Sequence, residues 1–464
     1  MANLTQKKRS VPFGADLFLS GLFSLLAVIM LSSCAGTLHP LPAPTPLPNV
    51  LPEYRNADFW IARAPESKKL IMDEDGIDAF NHHLMASNPR LKDIFDYPDM
   101  MEAAYLNLKF AQTRELLEKK QFYSTRGEPL EKPYFDALYK NIGVPEDKLH
   151  VLFGIIIRGT NARLVPTDDL ALKKNTSDQA FDRFQVARLD IGTPVAVMHA
   201  SIDRNWFFIE SYSVSGWVKS KDLAVGEKAK VQYFEVVRPL VVTGVSVPFY
   251  YDRDLKKFAA NYDLGTALPY LLTHDDVHEV VLPCREPDGS LYYHTGYTRI
   301  DADVSTDYLD YTLANVYRQA FKMLGMAYVW GSRLDGTEDC SGFIMSVFSC
   351  FGLDIPRNSS SQEKVNESRR INLAGLDKAG KMEILKKVEG RPALLYKKGH
   401  IMLYLGTVNG RPYAIHSMWS YRENEDGRER ERLVKRVAVS DLTAGEGTKE
   451  GSYLDRLISV IPLD

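Results

Sequence analysis

The chain has 464 residues and four cysteines, and one of them, Cys340 in "GTEDCSGFIMSVF" (336–348), stands between an aspartate and a Ser-Gly step. His400 follows a glycine in "GHIMLYLG", and His416 stands in "AIHSMW". A thiol and two imidazoles are the parts of nucleophilic acyl transfer: the sulfur attacks, one ring moves the proton, and the other orients that ring. The run after Cys340 puts Ile344, Val347 and Phe351 on one side and stops at Gly352, so it reads as a helix with the thiol in its first turn. Unpaired N–H groups and the positive end of the helix dipole lie there and favour a thiolate. Ser341 and Gly342 are small and keep the approach to the sulfur open. A buried core cysteine at a helix start would show the same local pattern, so the histidines have to decide.

They can do so only if the chain brings them to one face. "HIMLYLGTVNGRPYAIHSMW" (400–419) reads as a β-hairpin. A three-residue loop, Thr407-Val408-Asn409, sets residues 400 and 416 opposite each other, with cross-strand side chains about 5 Å apart. A two-residue Asn409-Gly410 loop pairs Val408 with Arg411 instead. His416 then opposes Leu403, and the histidines face opposite sides. Catalysis therefore requires the three-residue loop, or a bulge that restores parity.

The rest of the chain must carry this site. Its length suggests three or four domains. The composition, 45% apolar and 25% charged with a net charge of −3, is that of an ordinary soluble protein. No basic run is interleaved with aromatics, which sets nucleic acid aside. The N-terminus differs: Lys7, Lys8 and Arg9 precede the apolar "LFLSGLFSLLAVIML" and then "LSSC", the layout of an export signal. Ending on Cys34, it resembles a bacterial lipobox, which implies lipidation of Cys34. Ala35 rather than aspartate follows, and by resemblance to the sorting of Gram-negative lipoproteins this implies the cell envelope, at the periplasmic face of the outer membrane. "HPLPAPTPLPNVLP" (39–52) reads as an extended tether that joins no core. Cys284, Cys340 and Cys350 then remain, too few for a disulfide scaffold; Cys284 and Cys350 either pair or stay as buried thiols.

The boundaries expected are a signal at 1–34, a tether at 35–52, a helical segment at 53–145, two small all-β units at 146–228 and 229–304, and an α+β domain at 305–464. In the last, "STDYLDYTLANVYRQAFKMLG" places Leu313, Val316, Ala320 and Leu324 on one helical stripe before Gly325.

"YVWGSRLDGTEDCSGF", "IPRNSSSQ", "GHIMLYLG" and "IHSMW", in that order, resemble the NlpC-type papain-like cysteine peptidases of bacterial cell walls. "RGTNARLVPT", "GTPVAVMHAS" and "SGWVKSKDLA" resemble the first of two bacterial SH3-like domains in a subgroup of that family, and residues 53–145 resemble its N-terminal stabilising segment. The resemblance implies a multidomain fold: a helical N-terminal segment, two SH3-like barrels and a papain-like catalytic domain. It implies Cys340 as nucleophile, His400 as general base and acid, His416 as orienting residue and Tyr328 near the oxyanion. It implies a groove lined by Asp339, Ser341, Trp330, Arg357, Ser359 and Trp419. The family cleaves the γ-D-glutamyl–diamino acid bond of peptidoglycan stem peptides and uses no metal or organic cofactor. The partners implied are stem peptides and, through the lipid, a membrane, for a monomeric enzyme. Intact wall and free stem peptides with an N-terminal L-Ala are both open as substrates. The latter needs a negative or polar trap for the free amine, for which Asp182 and residues around Tyr212 are candidates. A non-catalytic wall-binding lipoprotein, or acyl transfer on another substrate, are the readings from other classes.

Overall fold

The structure is a computed structural model that describes residues 38–173, 179–332 and 335–464. The expected signal segment and Cys34 lie outside the described residues.

Alternating β-branched and aromatic stretches become strands that bury one face. The first β unit is a seven-stranded sheet in the order Leu223–Gly226, Leu152–Ile156, Pro194–Ala200, Trp206–Glu210, Ser215–Lys219, Thr160–Arg163, Gln185–Leu189. The helix Lys228–Val236 leads into the second, also seven-stranded, whose longest pairing joins Val277–Arg285 to Leu291–Arg299. The C-terminal domain opens with the helix Leu313–Lys322, capped by the Thr312 side chain and burying Leu313, Val316 and Ala320 as the stripe requires. Its sheet runs Leu38–Pro42, Arg428–Asp441, Arg411–Glu425, His400–Val408, Ala393–Lys397, Ser459–Pro462, Ile371–Asn372.

The proline-rich stretch corrects an expectation, because it does join a core. Leu38–Pro42 pairs in parallel with Arg428–Asp441, and Ala43, Leu47 and Val50 are buried. The Asn49 amide donates to Asp441 at 2.8 Å, and the Tyr413 hydroxyl donates to the Asn49 carbonyl at 2.8 Å. Extended backbone is already strand-like, and an edge position tolerates proline because one side of its ladder stays open. Apolar residues between the prolines supply the burial.

The helical region that follows is shared between two cores. Tyr54, Trp60, Ile61 and Leu84 pack with the C-terminal domain, where Tyr54 and Trp60 meet the Tyr413 ring at 5.2 and 5.6 Å. Leu106, Leu117, Phe135 and Leu138 pack with the β units, and Phe110 lies against Phe208 and Trp217. This region therefore straps the β units to the domain that carries Cys340. Cys284 and Cys350 are buried free thiols. Among the described residues no helix is long and apolar enough to cross a membrane.

Candidate active site

Cys340 begins the helix Cys340–Ser349 and is 7% exposed. The Asp339 side chain caps the helix, accepting the amides of Ser341 at 3.1 Å and Gly342 at 2.8 Å. The same carboxylate takes the Gly331 amide at 2.9 Å and a two-pronged ion pair from Arg357, both prongs at 2.9 Å. Arg357 also donates to Ser341 Oγ at 2.9 Å and Ser332 Oγ at 3.1 Å. Gln362 donates to the Ser341 carbonyl at 2.8 Å.

This network gives Asp339, Ser341 and Arg357 a second part beside the groove expected of them. All three are buried and spend their polar atoms on one another, so they position the nucleophile. Gly342 is not a clear approach. A Cβ there would collide with the Glu338 carboxylate and Ser332 Oγ, so a larger residue would have to push those side chains aside. Glu338 is half-buried, held by Ser332 and Ser346, and its removal from water pushes its carboxyl up to about 7.

The hairpin uses the two-residue loop. Val408 pairs with Arg411, and Asn409 and Gly410 turn the chain at φ 51° and 75°. Register then shifts between Tyr404 and Gly406, after which Leu403 opposes Ile415. Leu405 is the extra residue. This bulge, in place of the three-residue loop, returns His400 and His416 to the same face. His400 Nε2 lies 2.7 Å from His416 Nδ1, and His416 Nε2 lies 2.7 Å from Ser440 Oγ. Tyr453 packs edge-on against both rings, at 5.9 and 5.6 Å.

The helix of Cys340 lies against the strand of His400, and the backbone amide of Ile401 is among the groups that favour the thiolate. With Nε2 engaged, Nδ1 is the His400 nitrogen left to take a proton. That role needs a hydrogen on His400 Nε2, given to His416 Nδ1. His416 must then carry its own hydrogen on Nε2 and give it to Ser440. Ser440 is thus the end of the relay, and sequence reading missed it. It sits on a strand with polar neighbours, and only the register of Arg428–Asp441 brings it under His416. Ser440→Ala is expected to lower kcat about fivefold with KM unchanged, the loss of one neutral hydrogen bond that holds the tautomer. Steady-state kinetics checks this.

Burial works against the expected resting thiolate. Burial first, then the Asp339 charge, push the Cys340 thiol up to about 12. Removal from water outweighs the helix end and the Lys397 and Arg357 charges. Burial and the neighbouring His416, Lys397 and Arg456 hold His400 well below the usual histidine range, and burial and Lys397 bring His416 to about 3. These directions favour a neutral thiol beside neutral imidazoles, with the proton moving as the sulfur attacks. The acid limb of kcat/KM is expected below pH 6.5, the ordinary histidine value. Stability follows the same sign. Below pH 6.5 the unfolded chain protonates these histidines and the native chain does not. The contribution is therefore intact above pH 6.5 and is lost as pH falls toward about 3. Urea midpoints at pH 7 and pH 5 should fall with pH, and fall less in His416→Gln.

The remaining expected residues lie around this centre. Tyr328 is buried, and burial with the nearby Cys340 and Asp339 keeps its phenol protonated. Trp330 and Trp419 are half-buried and meet Phe181 of the first β unit at 5.9 and 4.5 Å, and the Trp330 amide donates to the Ala180 carbonyl at 3.1 Å. Ser359 is half-buried at the head of the short helix Ser359–Gln362. Of the amine-trap candidates, Asp182 is closed off. Asp182 is buried against Arg163, and the Tyr212 hydroxyl donates to the Asp354 carbonyl at 2.8 Å. Among the described residues no cluster of histidine, cysteine and carboxylates could hold a metal ion.

Known proteins resemble parts of this chain. Residues 325–426 match the NlpC/P60 family, and residues 170–219 match an SH3 domain of the SH3b1 type. A gamma-D-glutamyl-L-lysine dipeptidyl-peptidase of Bacillus cereus is 26% identical over 45% of this chain and 58% of its own length. Another of that name, from Bacillus subtilis, is 32% identical over 20% of this chain and 30% of its own. The chain thus spans less than two thirds of either relative. A solved structure, described as a novel NlpC/P60 endopeptidase from Photobacterium damselae subsp. piscicida, superimposes with a TM-score of 0.73. It covers 92% of this chain and 99% of that one at 18% identity, a likeness of fold. Residues 325–426, which hold Cys340, His400 and His416, are therefore an NlpC/P60 domain, carried behind an SH3 domain of the SH3b1 type.

Proposed function

We propose that this protein is a cysteine peptidase that hydrolyses the γ-D-glutamyl–diamino acid bond of peptidoglycan stem peptides. The observation that carries the reading is the buried relay behind Cys340, His400 to His416 at 2.7 Å and on to Ser440, inside an NlpC/P60 domain. Cys340 sulfur bonds to the γ-carbonyl carbon while its proton passes to His400 Nδ1. The amides of Ser341 and Gly342 belong to Asp339, so the Cys340 amide, with the Tyr328 hydroxyl, serves the oxyanion. His400 returns the proton to the leaving amine as the C–N bond breaks. A water, deprotonated by His400, then attacks the thioester, and the C–S bond breaks to restore the thiol and release the glutamyl acid.

Within the same proposal the second β unit is SH3-like, and the helical region is the segment that stabilises the assembly of a monomer. Cys34 carries a lipid that holds the enzyme in the cell envelope, at the periplasmic face of the outer membrane. That placement favours intact wall as substrate. One observation favours a second reading, free stem peptides: Phe181 of the first β unit packs on Trp330 and Trp419 and narrows the approach to Cys340. The names of the Bacillus relatives, dipeptidyl-peptidases, lean the same way.

Mass spectrometry of products separates the two. The full-length protein in detergent is incubated with sacculi and, separately, with L-Ala-γ-D-Glu-diaminopimelate, with Cys340→Ala as control. Diaminopimelate-containing fragments from sacculi, lost in the mutant, support action on intact wall. Cleavage of the free peptide alone supports the second reading. No Cys340-dependent cleavage of either would sink the peptidase and favour a wall-binding lipoprotein.

A further inference from the structure

A γ-linked glutamate keeps its α-carboxylate free, a short methylene chain from the carbonyl that Cys340 attacks. The substrate therefore brings a negative charge to the site. Arg357, the cation expected to meet it, is spent on Asp339, Ser341 and Ser332.

Lys397 is a cation close to Cys340 and His400. It ends the strand Ala393–Lys397 and pairs directly with His400 across a tight turn. Its ammonium lies 5.4 Å from the centre of the Tyr453 ring, the ring that packs on both histidines. Its charge acts on Cys340, His400 and His416 alike. The side chain is half-buried.

The other groups around it leave it without a counter-ion. Arg456 is a like charge, and Tyr453 is a protonated phenol. The nearby carboxylate, Glu450, is already paired with Arg456 at 3.0 Å and Arg422 at 3.7 Å. Among the described residues Lys397 makes no ion pair. A partly desolvated ammonium without a partner is costly to keep, and the cost is relieved when an anion binds. Burial and the Arg456 charge accordingly bring its pKa down to about 8.

We infer that Lys397 binds the α-carboxylate of the substrate's γ-linked glutamyl residue and so selects the free acid over its α-amide. This rests on the peptidase reading above. Two peptides, L-Ala-γ-D-Glu-diaminopimelate and the same peptide with the α-carboxylate amidated, are compared in kcat/KM with the full-length protein. Wild type is expected to prefer the acid roughly 10- to 100-fold at pH 7, the range of a hydrogen bond to a charged group. Lys397→Gln should bring that ratio close to one, and Lys397→Arg should keep most of it. The wild-type preference should fall above pH 8 as the ammonium deprotonates, and should persist there in Lys397→Arg. A ratio unchanged in Lys397→Gln, with both peptides slowed alike, would assign Lys397 to the thiol or the fold and overturn the inference. Equal wild-type rates on both peptides would overturn it while leaving the peptidase standing. Cleavage of neither peptide would overturn this inference, and the peptidase reading falls with it only if sacculi also stay uncut.

Discussion

Replacing Cys340 by alanine is expected to lower kcat on the order of 10⁶-fold, and His400→Ala to do nearly the same. The two residues act as one unit. The neutral thiol becomes a nucleophile only as His400 takes its proton, and His400 has nothing to activate without the sulfur. The double variant should therefore be no slower than either single one. This departs from additivity by almost the full effect of one mutation, and rapid-quench or long-time product assays would measure it. Additive losses would mean that His400 works on water or the leaving group independently of Cys340. The small change at Cys340 should leave the thermal melt near wild type, which separates chemistry from folding.

Arg357→Ala is expected to destabilise the protein by about 3–5 kcal/mol, because it strands a buried carboxylate. Asp339 is 7% exposed, and its two oxygens rest on the fork of Arg357 and on the amides of Gly331, Ser341 and Gly342. Without the guanidinium, burial alone would push the carboxyl up, and the cap over Cys340 would loosen. Arg357→Lys should recover only part of the loss, since a point charge cannot make two parallel bonds and reach Ser332 as well. Urea unfolding measures the stability, and kcat on the stem peptide measures the displaced thiol. An Arg357→Ala protein of wild-type stability with a raised KM would leave Arg357 with the groove part alone.

The hairpin shows how far the sequence could be read. Asn409-Gly410 signals its turn correctly by itself, because two residues with positive φ match the twist of paired strands. Taken alone, that turn puts the histidines on opposite faces. What rescues the site is the bulge at Leu405, and its one local mark in "LYLGTV" is Gly406, which takes φ 128° there. A bulge is decided by how the strand packs on its neighbours. The thiol is a second case. Its place at a helix start was legible from the apolar period and the glycine stop, whereas its protonation depends on burial by segments far away in the chain.

Local chemistry and pattern determined which residues could react, Cys340, His400 and His416, and which stretches would be strand or helix. Both are written in residue type and spacing over short windows. The tertiary structure alone decided that Arg357 serves Asp339, that Ser440 ends the relay, that Lys397 stands unpaired beside the thiol, and that the proline-rich stretch docks as an edge strand. These are contacts between residues distant in sequence, whose partners are chosen by packing, burial and register, and no short window of the chain contains both sides of them.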